Sequence, residues 1–462
     1  MQTSSRESIE FYVRRGFWGE ESLESLFRRT VAIHPGRLAL VDPPDREAFT
    51  DLPPRQLTYS DLFSAVRDVS ARLLAAGLRK DQVVVTQLPN TVETVVLYLA
   101  VARIGALLCP MSVDQSTASL AEASLQLEPV MYVGCHYRHR NLLKQARTWL
   151  PESCQFASFS PSGGDVLNLS LDHPATEDEI RHLGQIMDTV PVSPNEVFTL
   201  TWKRHTDKHP AIPRTHNQWF ALASFVYEGA GLRNGDSLLC SFSLAEVSGI
   251  GAFLYNWLMA GARMVLNQTG EPEVIKSQLA KNRVTCAGIP PEQLISVLEL
   301  VEGMQEPCSL RTVISGFSPM DADVAQKIAG TGKVTVLNCY STSEGASLLA
   351  TPADRCEQWE EHLFPRFDEQ IDGWSSRMSR MVRTRLFAPG AEEEITEPGK
   401  PGELFVKGPS LFDRYYPCEP EGEYEEPNYK DGFQRTGDLF VIDEQNPRFY
   451  RFVGRVEEQM DS

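Results

Sequence analysis

Five consecutive side chains, Tyr340-Ser341-Thr342-Ser343-Glu344, bring together an aromatic ring, three aliphatic hydroxyls and a carboxylate, and Gly345 follows them. The set suits a nucleotide: the ring can face a base, a hydroxyl can meet a phosphate oxygen, and the carboxylate can hold a magnesium ion. The residues before it, Val334-Thr335-Val336-Leu337-Asn338-Cys339, are apolar at three of their first four positions and read as a short buried strand. Such a strand delivers the polar cluster at its carboxyl end, the edge where ligands bind in open α/β sheets. Taken alone, the residues also fit a helix N-terminus with Ser and Glu as a capping box.

The elements that must position this cluster follow an α/β rhythm. Ser22 to Val31 carries amphipathic helix signals, and Leu38 to Val41 is a short apolar run. Ser60 opens a helix through about Ala76, Val83 to Gln87 reads as a strand, and Thr91 to Ile104 as a helix ended by Gly105. Strands follow at Ala106 to Cys109 and Pro129 to Gly134. Residues 151–196, rich in Ser, Pro, Asp and Glu, read as a surface excursion between two lobes. The rhythm then resumes with strands at Asp236 to Phe242, Arg263 to Leu266, Thr285 to Ile289 and Thr312 to Ser315. Between them lie helices at Gly249 to Ala260 and Glu292 to Leu300, and Asp321 to Ile328 forms the next. From about residue 366 the runs shorten and are punctuated by Pro and Gly, as at Gly402 to Lys407 and Phe449 to Val453. The expected fold class is α/β, with two doubly wound lobes over about 1–190 and 191–365 and a small β-barrel over 366–453.

Composition narrows the function classes. The chain has 462 residues, 42% of them hydrophobic and 23% charged, as in a soluble globular protein with an ample core. A net charge of −18 argues against nucleic acid or an anionic membrane as the main partner. Nine cysteines, scattered and without a C-x-x-C pair, fit a reducing cytoplasm better than a disulfide framework. The N-terminus lacks a signal-peptide run, and the most apolar helical candidate, Val95 to Met111, is interrupted by Arg103, so no membrane span is expected.

Five segments in series resemble the adenylate-forming superfamily of acyl-CoA synthetases, peptide-synthetase adenylation domains and luciferases. Tyr340-Ser341-Thr342-Ser343-Glu344 resembles its Y-G-x-T-E motif, and Ser315-Gly316-Phe317-Ser318-Pro319-Met320 its S-G-G-A-P-L turn. Gly402-Glu403-Leu404-Phe405-Val406-Lys407-Gly408 resembles G-E-L-x-V-x-G, Asp431 to Asp438 resembles D-G-W-x-x-T-G-D, and Gly454-Arg455 the start of the hinge motif. The resemblance implies that Tyr340 stacks on adenine, Ser343 binds the α-phosphate with Ser341 beside it, and Glu344 sits at the magnesium ligand's position. It implies that Asp438 takes the ribose hydroxyls, that Arg455 reaches ribose or phosphate, and that Gly316, Phe317 and Ser318 line adenine and the acyl pocket. Trp219, Phe220, Glu246, Val247, Gly251 and Gly345 are the implied acyl-pocket residues. Residues 1–453 then form the large N-terminal domain and 454–462 a hinge leading to a C-terminal lid absent from this sequence, which is expected to be either the N-terminal portion of a longer protein or a chain without the lid.

The departures bear on mechanism. The family cradles the β and γ phosphates of ATP in a loop like T-S-G-T-T-G-x-P-K, shortly before a run ending T-H. Here Ala211-Ile212-Pro213-Arg214-Thr215-His216 resembles that ending, and the loop position holds Trp202-Lys203-Arg204-His205-Thr206-Asp207-Lys208-His209-Pro210. Glycines let successive N–H groups turn toward phosphate with no Cβ in the way. Both are replaced, as is the motif's lysine, and Asp207 adds a negative charge where the triphosphate belongs. At the aromatic gate P-x-F-H-x-x-G the chain has Ser243-Leu244-Ala245-Glu246-Val247-Ser248-Gly249, which widens the acyl side.

The expectation is therefore a CoA ligase that receives a preformed acyl-adenylate from a separate adenylating enzyme and forms the thioester, without using ATP. In this it resembles the non-adenylating acyl-CoA ligases of platensimycin-type antibiotic biosynthesis. Coenzyme A and acyl-AMP are its expected substrates, no catalytic base is identifiable, and whether Glu344 still meets magnesium stays open. Two other readings stay open: a complete ATP-dependent synthetase whose phosphates are held by Lys203, Arg204, His205, Lys208 and His209, and a silent adenylate-binding protein. His205 and His209 have the i, i+4 spacing of a zinc site, but no third ligand is evident, so no metal site is expected there.

Overall fold

Long apolar runs give this chain its frame. Val83–Gln87 is buried along its whole length, the pattern of a strand covered on both faces. It lies near the middle of a seven-stranded sheet in the order 212–215, 197–201, 107–110, 83–87, 131–134, 155–158, 166–168. All pairings in it are parallel except that of 212–215 with 197–201. Helix Val92–Ile104 follows the central strand and is buried almost throughout, ending at Gly105 with φ +78°. The computed structural model describes the whole chain except residues 161–162, 203–210, 305–307, 318–319, 321–323, 325–326, 328–333, 357–359, 361, 370, 392, 417–428 and 457–462.

An eight-stranded sheet runs in the order 347–349, 335–341, 312–316, 286–288, 237–240, 263–266, 38–41, 56–58. Its centre is parallel, and its two edge strands are antiparallel. The third sheet is antiparallel, in the order 363–365, 449–455, 433–442, 401–407, 383–387, with the short strand 429–430 on 433–434. It is a curled, open sheet, half of a barrel, since its edge strands 363–365 and 383–387 do not pair with each other among the described residues.

The two α/β lobes do not divide at residue 190. Strands 38–41 and 56–58 belong to the eight-stranded sheet, while 197–201 and 212–215 belong to the seven-stranded one. Nor is 151–196 an excursion: Gln155–Ser158 and Val166–Asn168 extend the seven-stranded sheet at its edge. Helix Glu177–Thr189 packs on helix Tyr59–Ala75 and opens with a reciprocal cap between Thr176 and Glu179. Val166–Asn168, at the edge, is three residues long and partly exposed, and Gln155–Ser158 beside it has four, too few in either to announce a strand by period. The expected helix Gly249 to Ala260 is three pieces, Val247–Gly249, a π-helical turn Ile250–Leu254, and Tyr255–Met259. The expected helix at Asp321 to Ile328 lies mostly outside the described residues.

A buried ion cluster fastens the first two sheets together. Arg46 is fully buried, donates to Asp42 at the end of strand 38–41, and places Nη2 2.8 Å from Glu93 Oε1 in helix Val92–Ile104. Asp42 also accepts the Val92 backbone N–H at 2.8 Å. Removing the cation would strand two buried carboxylates, a large effect because neither could reach water. Arg46→Met is expected to destabilise the fold by about 3–5 kcal/mol, read from urea unfolding.

Candidate functional site

Two sheets meet at one carboxylate. Strand Thr335–Ser341 runs in register beside Thr312–Gly316, with Gly316 opposite Cys339. Gly316 has φ +102°, and a Cβ there would come within 2.2 Å of the Cys339 carbonyl oxygen. Phe317 follows at φ +62°, its N–H donating to the same carbonyl at 2.7 Å. Here the chain lies so close to its neighbour that only glycine fits at Gly316.

Strand Thr335–Ser341 ends in a tight turn, not a helix. The Thr342 N–H donates to the Ala346 carbonyl at 2.9 Å, Gly345 takes φ +102°, and strand Ser347–Leu349 returns antiparallel. The capping-box reading of Ser343 and Glu344 is thereby excluded. Tyr340 leaves this strand with its ring edge-on to Phe440 and Phe364, centroids 5.1 and 5.9 Å away. Its hydroxyl donates to Asp438 Oδ2 at 2.7 Å. Burial, with the Asp438 charge second, pushes the Tyr340 phenol well above its usual range, so it stays a donor.

Asp438 is presented by the curled sheet. Glu403, almost wholly buried, takes two hydrogen bonds from Arg435 Nε and one from Nη2, and accepts the Gly437 N–H at 3.1 Å. The Thr436 hydroxyl donates to the Leu404 carbonyl at 2.8 Å, and Gly437 takes φ +74°. These contacts set the turn from which Asp438 emerges, directly across from Arg455 on the neighbouring strand. Arg455 Nε stands 3.4 Å from Asp438 Oδ1. Between the sheets lies a cavity of about 400 Å³.

Of the sequence-predicted residues, Phe317, Tyr340, Ser341, Asp438 and Arg455 line this cavity. Gly316 lies beneath it as the close-approach residue, and Ser318 is outside the described residues. Ser343 and Glu344 occupy the turn next to it, and the Ser343 carbonyl accepts from Arg214 Nη2. The residues expected around an acyl group do not line this cavity. Trp219 is fully buried, its indole N–H on Thr199 Oγ1 at 2.8 Å, and Gly251 lies against it. Phe220 meets Tyr255 edge-on at 4.9 Å, Glu246 and Val247 are half-buried ahead of the π-helical turn, and Gly345 packs on the Ser410 carbonyl. Of the replaced phosphate loop, Trp202 is half-buried, and Lys203, Arg204, His205, Thr206, Asp207, Lys208 and His209 lie outside the described residues.

Sequence reasoning missed Arg214, His362 and Arg451. His362 and Arg451 line the cavity, and burial is the main influence lowering the His362 pKa. Arg214 is fully buried in strand Ile212–Thr215, its guanidinium 4.6 Å from the Trp219 ring centroid. Burial pulls its pKa down to about 10, and Glu344 opposes the shift. A lone cation inside an otherwise apolar strand was the available signal. Arg214 thus meets the turn through the Ser343 carbonyl, and among the described residues no three metal-ligating side chains cluster.

The family described as AMP-binding enzyme matches residues 27–416. Among curated relatives, the peroxisomal OPC-8:0-CoA ligase 1 of Arabidopsis thaliana is 23% identical over 439 residues, covering 92% of this chain and 73% of that protein. Among solved structures, apo MbtA of Mycobacterium smegmatis superposes with a TM-score of 0.75 at 19% identity, covering 99% of this chain and 80% of that one. The O-succinylbenzoate coenzyme A synthetase MenE of Bacillus subtilis, in complex with AMP, has a TM-score of 0.67 at 18% identity, covering 95% and 100%. The likeness to these structures is one of fold.

The turn at Gly437 rests on one carboxylate. Glu403→Gln is expected to destabilise the protein by about 1–3 kcal/mol, with faster amide exchange concentrated at Gly437 and Asp438.

Proposed function

The chain belongs to the AMP-binding enzyme family, and from that premise we propose that it is a CoA ligase working on a preformed acyl-adenylate, converting acyl-AMP and CoA to acyl-CoA and AMP. The observation that carries the reading is an asymmetry between the two ends of the nucleotide. For the nucleoside monophosphate there is a cavity bordered by Tyr340, Ser341, Asp438 and Arg455, with a shared carboxylate already in place. For the pyrophosphate end, the segment joining strands 197–201 and 212–215 contains no glycine and carries Asp207.

In this reading Tyr340 offers its ring to adenine and Asp438 accepts from the ribose hydroxyls, displacing the Tyr340 hydroxyl. Arg455 faces the ribose or the phosphate. The CoA thiolate attacks the acyl carbonyl carbon, the bond from that carbon to the phosphate oxygen breaks, and AMP leaves with the electron pair. The thiol proton passes to solvent. The mixed anhydride already carries the driving force, so the protein's part is to hold it oriented against the incoming sulfur. ATP is not a substrate, and a separate adenylating enzyme supplies the acyl-AMP.

Two assays on the purified chain test this. Labelled pyrophosphate is expected not to exchange into ATP with any carboxylic acid, while synthetic acyl-AMP and CoA yield acyl-CoA and AMP. Exchange at ordinary rates overturns the reading in favour of a complete synthetase whose phosphates are held by side chains such as Lys203, Arg204 and Lys208. Binding of acyl-AMP with neither reaction overturns it in favour of an adenylate-binding protein. A third measurement addresses the ribose contact: Asp438→Ala is expected to weaken AMP binding by roughly ten- to a hundredfold in calorimetry. The same change should abolish the preference for AMP over its 2′,3′-dideoxy analogue.

A further inference from the structure

The edge of the curled sheet at strand 383–387 gathers positive charge in a chain whose net charge is −18. Strand 383–387 lies antiparallel to 401–407, and in that register Arg383 stands directly opposite Lys407. Like charges facing each other across two strands destabilise a sheet. Arg385, two positions on, projects from the same face. Arg380, in helix Arg377–Met381, and Arg15, just after helix Arg6–Arg14, join these three around a cavity of about 430 Å³. This cavity shares no lining residue with the one beside Tyr340.

The carboxylates nearby do not balance this charge. Asp368 accepts from Arg366 Nη2 at 2.9 Å. Glu369 comes no nearer than 4.0 Å to Arg383 Nε, and Glu394 stands 3.9 Å from Arg385 Nε. Asp431 meets Lys407 through its backbone carbonyl, 3.4 Å from Nζ. Among the described residues, Arg15, Arg380 and Lys407 stand at ion-pair distance from no carboxylate.

Aromatic rings and backbone contacts hold the cations where they are. Arg385 Cζ lies 4.9 Å and Lys407 Nζ 5.8 Å from the Phe433 ring centroid, and Arg15 Cζ lies 4.3 Å from that of Phe11. Gly432 leaves room for the ammonium, since a Cβ there would come within 2.9 Å of Lys407 Nζ. The N-terminal wall is tied down too: Arg377 Nη2 donates to the Gly16 carbonyl at 2.7 Å, and the Trp18 indole N–H donates to the Pro409 carbonyl at 2.9 Å. Exposed Phe11 and half-buried Phe17 give the cavity an apolar lip.

These cations come from the strand pair, a short helix and the N-terminal segment, so an acceptor that satisfies them must offer oxygens in more than one plane. A tetrahedral phosphate does so and a planar carboxylate does not, and guanidinium forks match phosphate oxygens in pairs. We propose that this cavity is a second binding site, for a small organic phosphate. Its phosphate lies among Arg383, Arg385 and Lys407, with Arg15 and Arg380 at the rim, and its apolar part lies against Phe11 and Phe17. The site is separate from the nucleotide cavity and does not depend on the adenylate reading.

Calorimetric titration of the whole chain with phenyl phosphate, inorganic phosphate and benzoate tests it. Phenyl phosphate is expected to bind roughly tenfold more tightly than benzoate. Joint replacement by Arg383→Gln and Lys407→Gln is expected to weaken it by at least about tenfold. Phe11→Ala should remove the advantage of phenyl phosphate over inorganic phosphate, and Arg455→Gln, in the nucleotide cavity, should change neither affinity. Lys407→Gln alone, at an exposed position, is expected to lose roughly three- to tenfold and keeps the test readable if the double variant fails to fold. No binding of phenyl phosphate by the wild type overturns the proposal, as does wild-type affinity in the Lys407→Gln protein. Benzoate binding as tightly as phenyl phosphate overturns the choice of phosphate, and an equal loss in Arg455→Gln places the probe in the nucleotide cavity and overturns the second site.

Discussion

The hydrogen bond from Tyr340 to Asp438 joins two sheets that share no strand, and both residues line the cavity between them. Tyr340 belongs to the parallel eight-stranded sheet and Asp438 to the curled antiparallel one. Everything that shapes the region serves this meeting. Gly316 lets one strand lie against the next, Gly437 lets the chain turn so that Asp438 faces inward, and Phe440 and Phe364 hold the Tyr340 ring by its edges. In the proposed reading, this carboxylate, bonded on one oxygen and facing an arginine on the other, exchanges partners with an incoming diol. That exchange costs little because one set of hydrogen bonds replaces another.

Buried charge recurs through the molecule, and each instance ties together elements far apart in sequence. Arg46 binds Asp42 and Glu93 across the first two sheets, Glu403 gathers Arg435 and the Gly437 N–H, and Arg214 underlies the turn of Ser343 and Glu344. Such clusters contribute little net stability compared with well-packed apolar side chains, yet removing one member is expensive. Their effect is to fix geometry. For the proposed transfer from a mixed anhydride, that fixity would serve to hold two reactants in line.

The proposed function rests on a contrast of electrostatics. A triphosphate brings several negative charges that need backbone N–H groups, a lysine and a metal ion around them. The phosphate of an acyl-adenylate, esterified on one side and acylated on the other, brings one. The segment after Thr201, without glycine and with Asp207, suits the second demand better than the first.

By itself the sequence determined the α/β class, the strand that carries Tyr340 and the pairing of motifs that places Asp438 and Arg455 in one cavity. These depend on local period and on short motifs, which survive in a linear string. Only the tertiary structure decided which sheet each strand joins, since residues 38–58 and 197–215 change lobes and pairing partners are set by the whole surface left to cover. The two strands within 155–168 were likewise illegible, being too short to show a period. Arg214 was hidden for a different reason: a charge in a strand says nothing of its partner, and the Ser343 carbonyl it meets lies 129 positions away, brought near by the meeting of two sheets. Long-range electrostatics of that kind is a property of the fold, because desolvation and pairing are both set by what surrounds a group in space.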